Sequence, residues 1–158
     1  GTFAFSRVMV PVTFVLALFS LIAWAAMRKT RQLAKNLALS EAEARKAART
    51  DSLSGLPNRL ALREHIASQE TSRAAAAGRM AVIYVDINGF KAVNDTVGHS
   101  GGDIMIEKIA GRLRSIVPEG AFLARIGGDE FNLLLTDVKD PEDARILASQ
   151  IIASINPP

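Results

Sequence analysis

Residues 125–132 read RIGGDEFN, in which two glycines are followed at once by two carboxylates and a phenylalanine. Apolar segments at 121–126 and 130–135 flank the two glycines, and this pattern predicts a β-hairpin. The turn itself would be satisfied by Asn-Gly or Asp-Gly, so the second acid needs another explanation. We therefore look for other polar residues that the fold could bring close to this acidic turn.

Strand and helix patterns alternate around the hairpin. Met80 to Val85 is a β-branched apolar run that suits a central strand, and it is followed directly by Asp86. Helical patterns cover Gly89 to Asp95 and Asp103 to Val117, and an amphipathic segment begins at Pro141. We therefore predict an α/β fold, an α+β sandwich whose sheet contains antiparallel strands and is flanked by helices.

Two of the acids fall at positions where a sheet presents side chains to a ligand. Asp86 ends a predicted strand and Asp129 lies on the hairpin turn. Two carboxylates brought together repel unless a cation lies between them, and Mg²⁺ suits such a site when a phosphate is also present. Lys91, one turn into the next helix, could neutralise phosphate oxygens. Taken alone, each of these acids could instead be an ordinary turn residue or a helix cap without a role in metal binding.

The N-terminal region is much more apolar than the rest. Residues 8–27 (VMVPVTFVLALFSLIAWAAM) carry no charge and could span a bilayer core of about 30 Å as a helix. We predict a transmembrane helix in contact with membrane lipid; a signal peptide and a buried core helix are the alternatives. Arg28, Lys29, Arg31 and Lys35 follow this span, which predicts that the C-terminal part faces the cytoplasm.

The composition excludes several functional classes. The net charge is +3 and the pI about 9.6, but the excess of basic residues is concentrated in residues 28–50. Such a segment next to an anchor is more simply a topology signal or a lipid contact, so we expect no nucleic-acid partner. The chain has no cysteine, which excludes thiol catalysis and cysteine zinc sites, and His65 and His99 are too few for a histidine cluster.

The composition changes again after the apolar run. Residues 28–50 lack Gly and Pro and predict a helical linker with a weak heptad pattern, either a two-helix signalling linker or a solvated spacer. Asn58 can cap a helix from Arg59 to Gln69, and residues 71–79 (TSRAAAAGR) look like a loose connector. The predicted organisation is an N-terminal segment at 1–27, the linker, and a domain at 51–158.

Three motifs in order resemble the GGDEF family of diguanylate cyclases. They are GGDEF at 127–131, DSLSGLPNR at 51–59 and DINGFKAVNDTVGHSGGD at 86–103. The resemblance implies a palm-like nucleotidyl cyclase fold and the condensation of two GTP molecules into cyclic di-GMP with release of two pyrophosphates. It also implies a homodimer in which each domain holds one GTP. With the predicted transmembrane helix, we expect localisation at the bacterial inner membrane.

The resemblance assigns roles at the acidic turn. It implies that Asp86 and Asp129, with the backbone carbonyl of Ile87, coordinate Mg²⁺ or Mn²⁺. Glu130 would act with Asp129 as a catalytic residue and help to deprotonate or orient the attacking hydroxyl. A polar residue, Asn88, stands where the family often has a further acid.

It also assigns the nucleotide contacts. Asn94 and Asp103 match the residues that read guanine, and their alternatives are a helix C-cap and an N-cap. Lys91 matches a phosphate contact, and Gly127 and Gly128 form the turn.

The resemblance covers only part of such a domain, because its final strands are not included. We expect the sequence to be part of a longer membrane protein. An alternative function is a non-catalytic GTP-binding regulatory module attached to another output domain, such as a phosphodiesterase.

Overall fold

The computed structural model describes the backbone of residues 2–155 and the side chains of residues 14–155. These residues form five helices and three strands, in two compact units that divide between Arg45 and Lys46. The elements in chain order are α1 (Thr2–Ala48), α2 (Arg59–Ile66), α3 (Gln69–Ala76), β1 (Ala81–Asp86), α4 (Phe90–Ile116), β2 (Phe122–Gly127), β3 (Glu130–Leu135) and α5 (Pro141–Ile155).

Helix α1 contains the apolar N-terminal run. Its large apolar side chains between Phe14 and Met27 are all exposed, by 48% to 72% of their surface. In the part of the chain described here, no helix has both the length and the apolarity needed to cross a bilayer. The transmembrane helix predicted at 8–27 is therefore unsupported, and the side chains of residues 8–13 lie outside the described ones.

The second unit is built on a three-stranded antiparallel sheet in the order β1-β3-β2. Strand β3 is the central one, and its residues from Phe131 to Leu135 are all buried. Strand β1 alternates half-buried and exposed residues and pairs with β3 alone among the described strands. Residues 80–85 are predicted to form a central strand; among the three described strands, this strand lies at an edge. The predicted α/β class, with an antiparallel sheet and helices, is confirmed.

The core lies between one face of this sheet and the helices α4 and α5. In α4 the buried residues recur at helical spacing, so they form one apolar stripe. Burying one such side chain fully is worth about 1.5–3 kcal/mol. The most deeply buried apolar residues of this cluster are Leu56, Ile106, Ile109, Ala110, Leu113, Phe131, Leu133 and Ile151.

The region between the linker and β1 is more helical than its sequence predicts. The side chain of Asn58 caps α2 as predicted, accepting hydrogen bonds from the backbone N–H groups of Leu60 and Ala61. The predicted loose connector at 71–79 is wrong, since most of it belongs to α3. Ser68 caps this helix, and the alanines that follow have high helix propensity.

Helix α4 is two helical segments that meet at Gly98. This glycine has φ of 79° and ψ of 168°, a conformation that interrupts the helix and that L-residues rarely adopt. The sequence predicts a longer gap, between Asp95 and Asp103, but helical backbone continues on both sides of the break. Asn94 and Asp103 therefore lie within helical segments, and the alternatives of a C-cap and an N-cap are wrong.

Candidate active site

The hairpin between β2 and β3 brings the predicted acids to one end of the sheet. In the β1–β3 register Asp86 is the direct partner of Glu130, and both residues are exposed. Asp129 is half-buried on the turn between the strands. Carboxylates directly opposite each other on neighbouring strands destabilise the pair unless a positive charge lies between them. The end of the sheet therefore carries the arrangement that a cation would stabilise.

Glycine conformations explain how the turn is so tight. Gly127 has φ of 151° and Gly128 has φ of 55°, and both lie in the region that favours glycine. A Cβ added at either glycine would meet no atom within 4 Å, apart from the chain neighbours. The two glycines are therefore required by the backbone conformation and not by lack of space.

The turn from β1 into α4 places the next two predicted residues. Ile87 is buried, and its carbonyl accepts a hydrogen bond from the backbone N–H of Phe90 at 3.2 Å. A carbonyl oxygen has a second lone pair, so this bond does not exclude a metal ligand role. Gly89, with φ of 78°, ends the turn, and Lys91 follows in the exposed first turn of α4. The lysine is thus on the helix that begins four residues after Asp86.

The two predicted guanine contacts approach each other across the Gly98 break. A Cβ on Gly102 would collide with Oδ1 of Asn94, so the backbone just before Asp103 passes directly against the Asn94 side chain. Oδ1 of Asn94 is buried and has no hydrogen-bond partner among the described residues. A buried acceptor without a donor costs about 1–3 kcal/mol. Asp103 follows Gly102 directly in the chain and is exposed.

The donor set suits a hard divalent cation. Asp86 and Asp129 supply carboxylates and Ile87 supplies a carbonyl, and oxygen ligands are those that Mg²⁺ and Mn²⁺ prefer. Among the described side chains there is no group of three or more His, Asp or Glu residues that could hold a metal. A site here would therefore combine two carboxylates with backbone oxygen and with oxygens of the ligand or of water.

Sequence reasoning missed a pair of residues that supports the turn. The Arg125 side chain donates hydrogen bonds to the carbonyl of Gly128 and to Oδ1 of Asp51. Asp51 and Arg125 are 74 residues apart in sequence, so no local pattern connects them. The sequence offered only one indication of the pair: Asp51 and Arg125 lie in two segments rich in turn residues, 51–59 and 125–132.

Comparison with known proteins agrees with these features. The family described as "Diguanylate cyclase, GGDEF domain" matches residues 48–158. The bifunctional diguanylate cyclase/cyclic di-GMP phosphodiesterase MucR of Pseudomonas aeruginosa is 38% identical over 130 residues, which are 82% of this chain. The cyclic di-GMP phosphodiesterase NbdA of the same species is 33% identical over 146 residues, 86% of this chain.

A solved structure shares the fold. The coiled coil and GGDEF domain of DgcB from Caulobacter crescentus, in complex with c-di-GMP, superposes with a TM-score of 0.73 at 26% identity. The alignment covers 80% of this chain and 66% of that one. The chain spans only 19% of the length of MucR and 18% of NbdA.

Proposed function

The chain belongs to the GGDEF diguanylate cyclase family, and on that premise we propose that it condenses two GTP molecules into cyclic di-GMP and two pyrophosphates. The observation that carries the proposal is the β1–β3 register, which sets Asp86 opposite Glu130 beside a glycine turn that bears Asp129. The register and the hairpin turn bring these acids to one end of the sheet. They suit a metal-bound triphosphate, whose charge needs compensation at the reacting phosphorus.

The base-binding part of the proposal rests on Asn94 and Asp103. Guanine presents two N–H donors on one edge, and adenine does not offer that pair. Oδ1 of Asn94 is a buried acceptor without a donor, and guanine would supply one. A site built to accept from these donors discriminates against a base that lacks them, because its own polar groups would then stay unpaired.

The proposed reaction assigns a separate task to each remaining residue. The 3′-oxygen of one GTP forms a bond to the α-phosphorus of the other, and the bond from that phosphorus to the bridging oxygen of pyrophosphate breaks. Glu130 orients the attacking hydroxyl and accepts its proton, and Lys91 neutralises phosphate oxygens. Asp86, Asp129 and the carbonyl of Ile87 would hold Mg²⁺ or Mn²⁺, which when bound supplies positive charge to the phosphoryl group.

A single domain with one GTP cannot complete this reaction, so the proposal includes a homodimer. Each copy would present one nucleotide, and a two-fold axis would place each hydroxyl against the other copy's α-phosphorus. The product forms only after both bonds have been made, which releases two pyrophosphates for each cyclic di-GMP.

The test is incubation of the full-length protein with labelled GTP and Mg²⁺, followed by separation of the products. We expect cyclic di-GMP from the wild type and none from Asp129→Ala. Asp137→Ala is the matched control, since Asp137 is an exposed acid outside the hairpin turn and should leave the product yield unchanged. A wild-type protein that dimerises and binds GTP but forms no product would refute the catalytic proposal.

A second function deserves testing because one similar protein, NbdA, is described as a cyclic di-GMP phosphodiesterase. In that case this domain would bind GTP without turnover and regulate an attached output domain. The presence of Asp129 and Glu130 favours catalysis. Regulation would appear as GTP binding together with a GTP-dependent change in the activity of the attached domain.

Localisation is a separate proposal. We propose attachment to the bacterial inner membrane with the GGDEF domain in the cytoplasm, from the uncharged run at 8–27 and the basic residues that follow it. The exposed apolar side chains of α1 after Phe14 support a lipid or protein cover for this segment. Sedimentation of the full-length protein with membranes after high-salt and alkaline washing would support anchoring, and its release by these washes would contradict it.

A further inference from the structure

The guanidinium of Arg125 lies between the acidic turn and the loop that follows α1. Its Nε and Nη2 donate hydrogen bonds to the carbonyl of Gly128 at 3.1 and 2.7 Å, and its Nη1 donates to Oδ1 of Asp51 at 2.8 Å. The arginine side chain is only 10% exposed and that of the aspartate 22%. One planar group thus fixes two segments at once, which a flexible single-nitrogen donor could not do.

Asp51 is itself held by its own loop. The backbone N–H and the hydroxyl of Ser54 both donate to Oδ1 of Asp51, at 2.8 and 2.7 Å. The backbone N–H of Asp51 donates to the carbonyl of Leu56 at 2.8 Å. Burial raises the pKa of the Asp51 carboxyl, but hydrogen bonds from Ser54 and Arg125 outweigh it and hold the pKa below its ordinary value. The carboxylate is therefore charged at neutral pH and acts as a fixed anchor.

Further hydrogen bonds fasten this loop to its neighbours. The backbone N–H of Arg125 donates to the carbonyl of Pro57 at 2.9 Å, so the loop also lies against β2. Nδ2 of Asn58 donates to the carbonyl of Ala48, the last residue of α1, at 2.8 Å. Loop 51–58 therefore connects the end of α1 to the strand that leads into the acidic turn.

The turn needs such support because its own backbone is permissive. Gly127 and Gly128 have no side chains to restrict their dihedral angles. The Gly128 carbonyl belongs to the peptide that carries the N–H of Asp129, so two hydrogen bonds to that oxygen fix the orientation of this peptide. The pair Arg79–Asp137 is different, since both side chains are more than half exposed and neither touches the turn.

We infer that Arg125 is a positioning residue for the acidic turn, and that Asp51 anchors it in the orientation that aligns Asp129 and Glu130. The predicted effect on turnover rests on the proposed cyclase activity. The predicted effect on the mobility of the turn does not. Arg125 acts through the Gly128 carbonyl and touches no reacting atom in this proposal.

The experiment compares Arg125→Gln, Arg125→Lys and Asp51→Asn with the control Arg79→Gln in the full-length protein. We expect the first three to lower kcat by about 10- to 100-fold, because misplacement of the turn by about 1 Å is enough for such a loss. KM for GTP should change by less than about threefold, since Asn94 and Lys91 are not moved. Arg125→Lys should not restore kcat, because the single nitrogen of lysine cannot bond both the Gly128 carbonyl and Asp51 as the planar guanidinium does.

Amide hydrogen exchange supplies a readout that does not depend on catalysis. Arg125→Gln and Asp51→Asn should accelerate exchange at residues 127–130 by about tenfold or more, while Leu133 to Leu135 in the same strand keep wild-type protection. Uniform acceleration along β3 would show a purely structural role and overturn the inference. So would a folded Arg125→Gln variant with unchanged kcat.

The two proposals can fail separately. If the wild type binds GTP but makes no cyclic di-GMP, the proposed function fails, and local acceleration of exchange at 127–130 still supports the positioning role. If the wild type is active and the variants retain both kcat and exchange protection, the positioning role fails and the proposed function stands. Should Arg125→Gln not fold, the nearly isosteric Asp51→Asn decides both readouts.

Discussion

Replacing Gly102 by alanine tests the proposed guanine site without replacing a polar residue. Gly102 is buried in α4, where an added Cβ would collide with Oδ1 of Asn94 and lie 3.3 Å from Cε2 of Phe90. Gly111 lies further along the same helix and is exposed, with nothing within 4 Å of its added Cβ. The two glycines therefore form a matched pair in which the same substitution meets different surroundings.

The magnitudes follow from opposing terms. Glycine to alanine inside a helix gains about 0.5–1 kcal/mol, which Gly111→Ala should show in full. At Gly102 the gain is opposed by displacement of Asn94 from its rotamer, which costs about 0.5–1.5 kcal/mol. Gly102→Ala should thus change the free energy of unfolding by no more than about 1 kcal/mol. The displaced Asn94 would lose one hydrogen bond to guanine, which weakens GTP binding about two- to tenfold.

Two assays separate these effects. Urea denaturation measures the free energy of unfolding, and calorimetric titration with a non-hydrolysable GTP analogue and Mg²⁺ measures affinity. We expect Gly111→Ala to be more stable than the wild type with unchanged affinity, and Gly102→Ala to be nearly as stable as the wild type with weaker binding. If Gly102→Ala bound the analogue as tightly as the wild type, the proposed role of Asn94 would be refuted.

Three further predictions concern charge and packing. Lys91→Met should raise KM for GTP about 5- to 50-fold by removing a charge-assisted phosphate contact worth about 1–2.3 kcal/mol, with Lys139→Met as the control in steady-state kinetics. The Asp51 pKa is lowered from its ordinary value of 3.8 in the folded state, so its stabilisation is present above that pH and is lost as the pH falls through the lowered pKa. Asp51→Asn should therefore flatten the acid side of the curve of unfolding free energy against pH, and an unchanged slope would contradict the assignment. Phe131→Ala should lower the free energy of unfolding by about 3–5 kcal/mol, because the ring is fully buried, whereas the exposed Ile152→Ala should have little effect on the same urea curve.

The elements that could be predicted are those with a strong local signal. The hairpin follows from two apolar runs around paired glycines, and α5 begins at Pro141, where Oδ1 of Asp140 accepts from the N–H of Glu142. The order of the three strands could not be predicted, because no local pattern shows that β3 pairs with both β1 and β2. Helix α3 was missed because Ser, Thr and Gly suggested a loop, while the cap at Ser68 acts only once the helix forms.

The candidate site divides in the same way. The acids of the turn can be read from the sequence because they stand beside the glycines that shape it. The approach of Gly102 to Asn94 could not be predicted, since it depends on the non-helical backbone of one residue, Gly98, inside α4. Arg125 was equally hidden, because its partner Asp51 is distant in the chain and the bond forms only when β2 lies against loop 51–58.

The opposition of Asp86 and Glu130 across two strands has a consequence for handling the protein. In the proposed Mg²⁺ site, bound metal would offset the repulsion expected between these two carboxylates, and metal binding would then raise the free energy of unfolding. Preparations stripped with a chelator should melt at a lower temperature than the same protein stored with millimolar magnesium. The magnesium concentration of the buffer should therefore be kept constant whenever the stability of this domain is compared between variants.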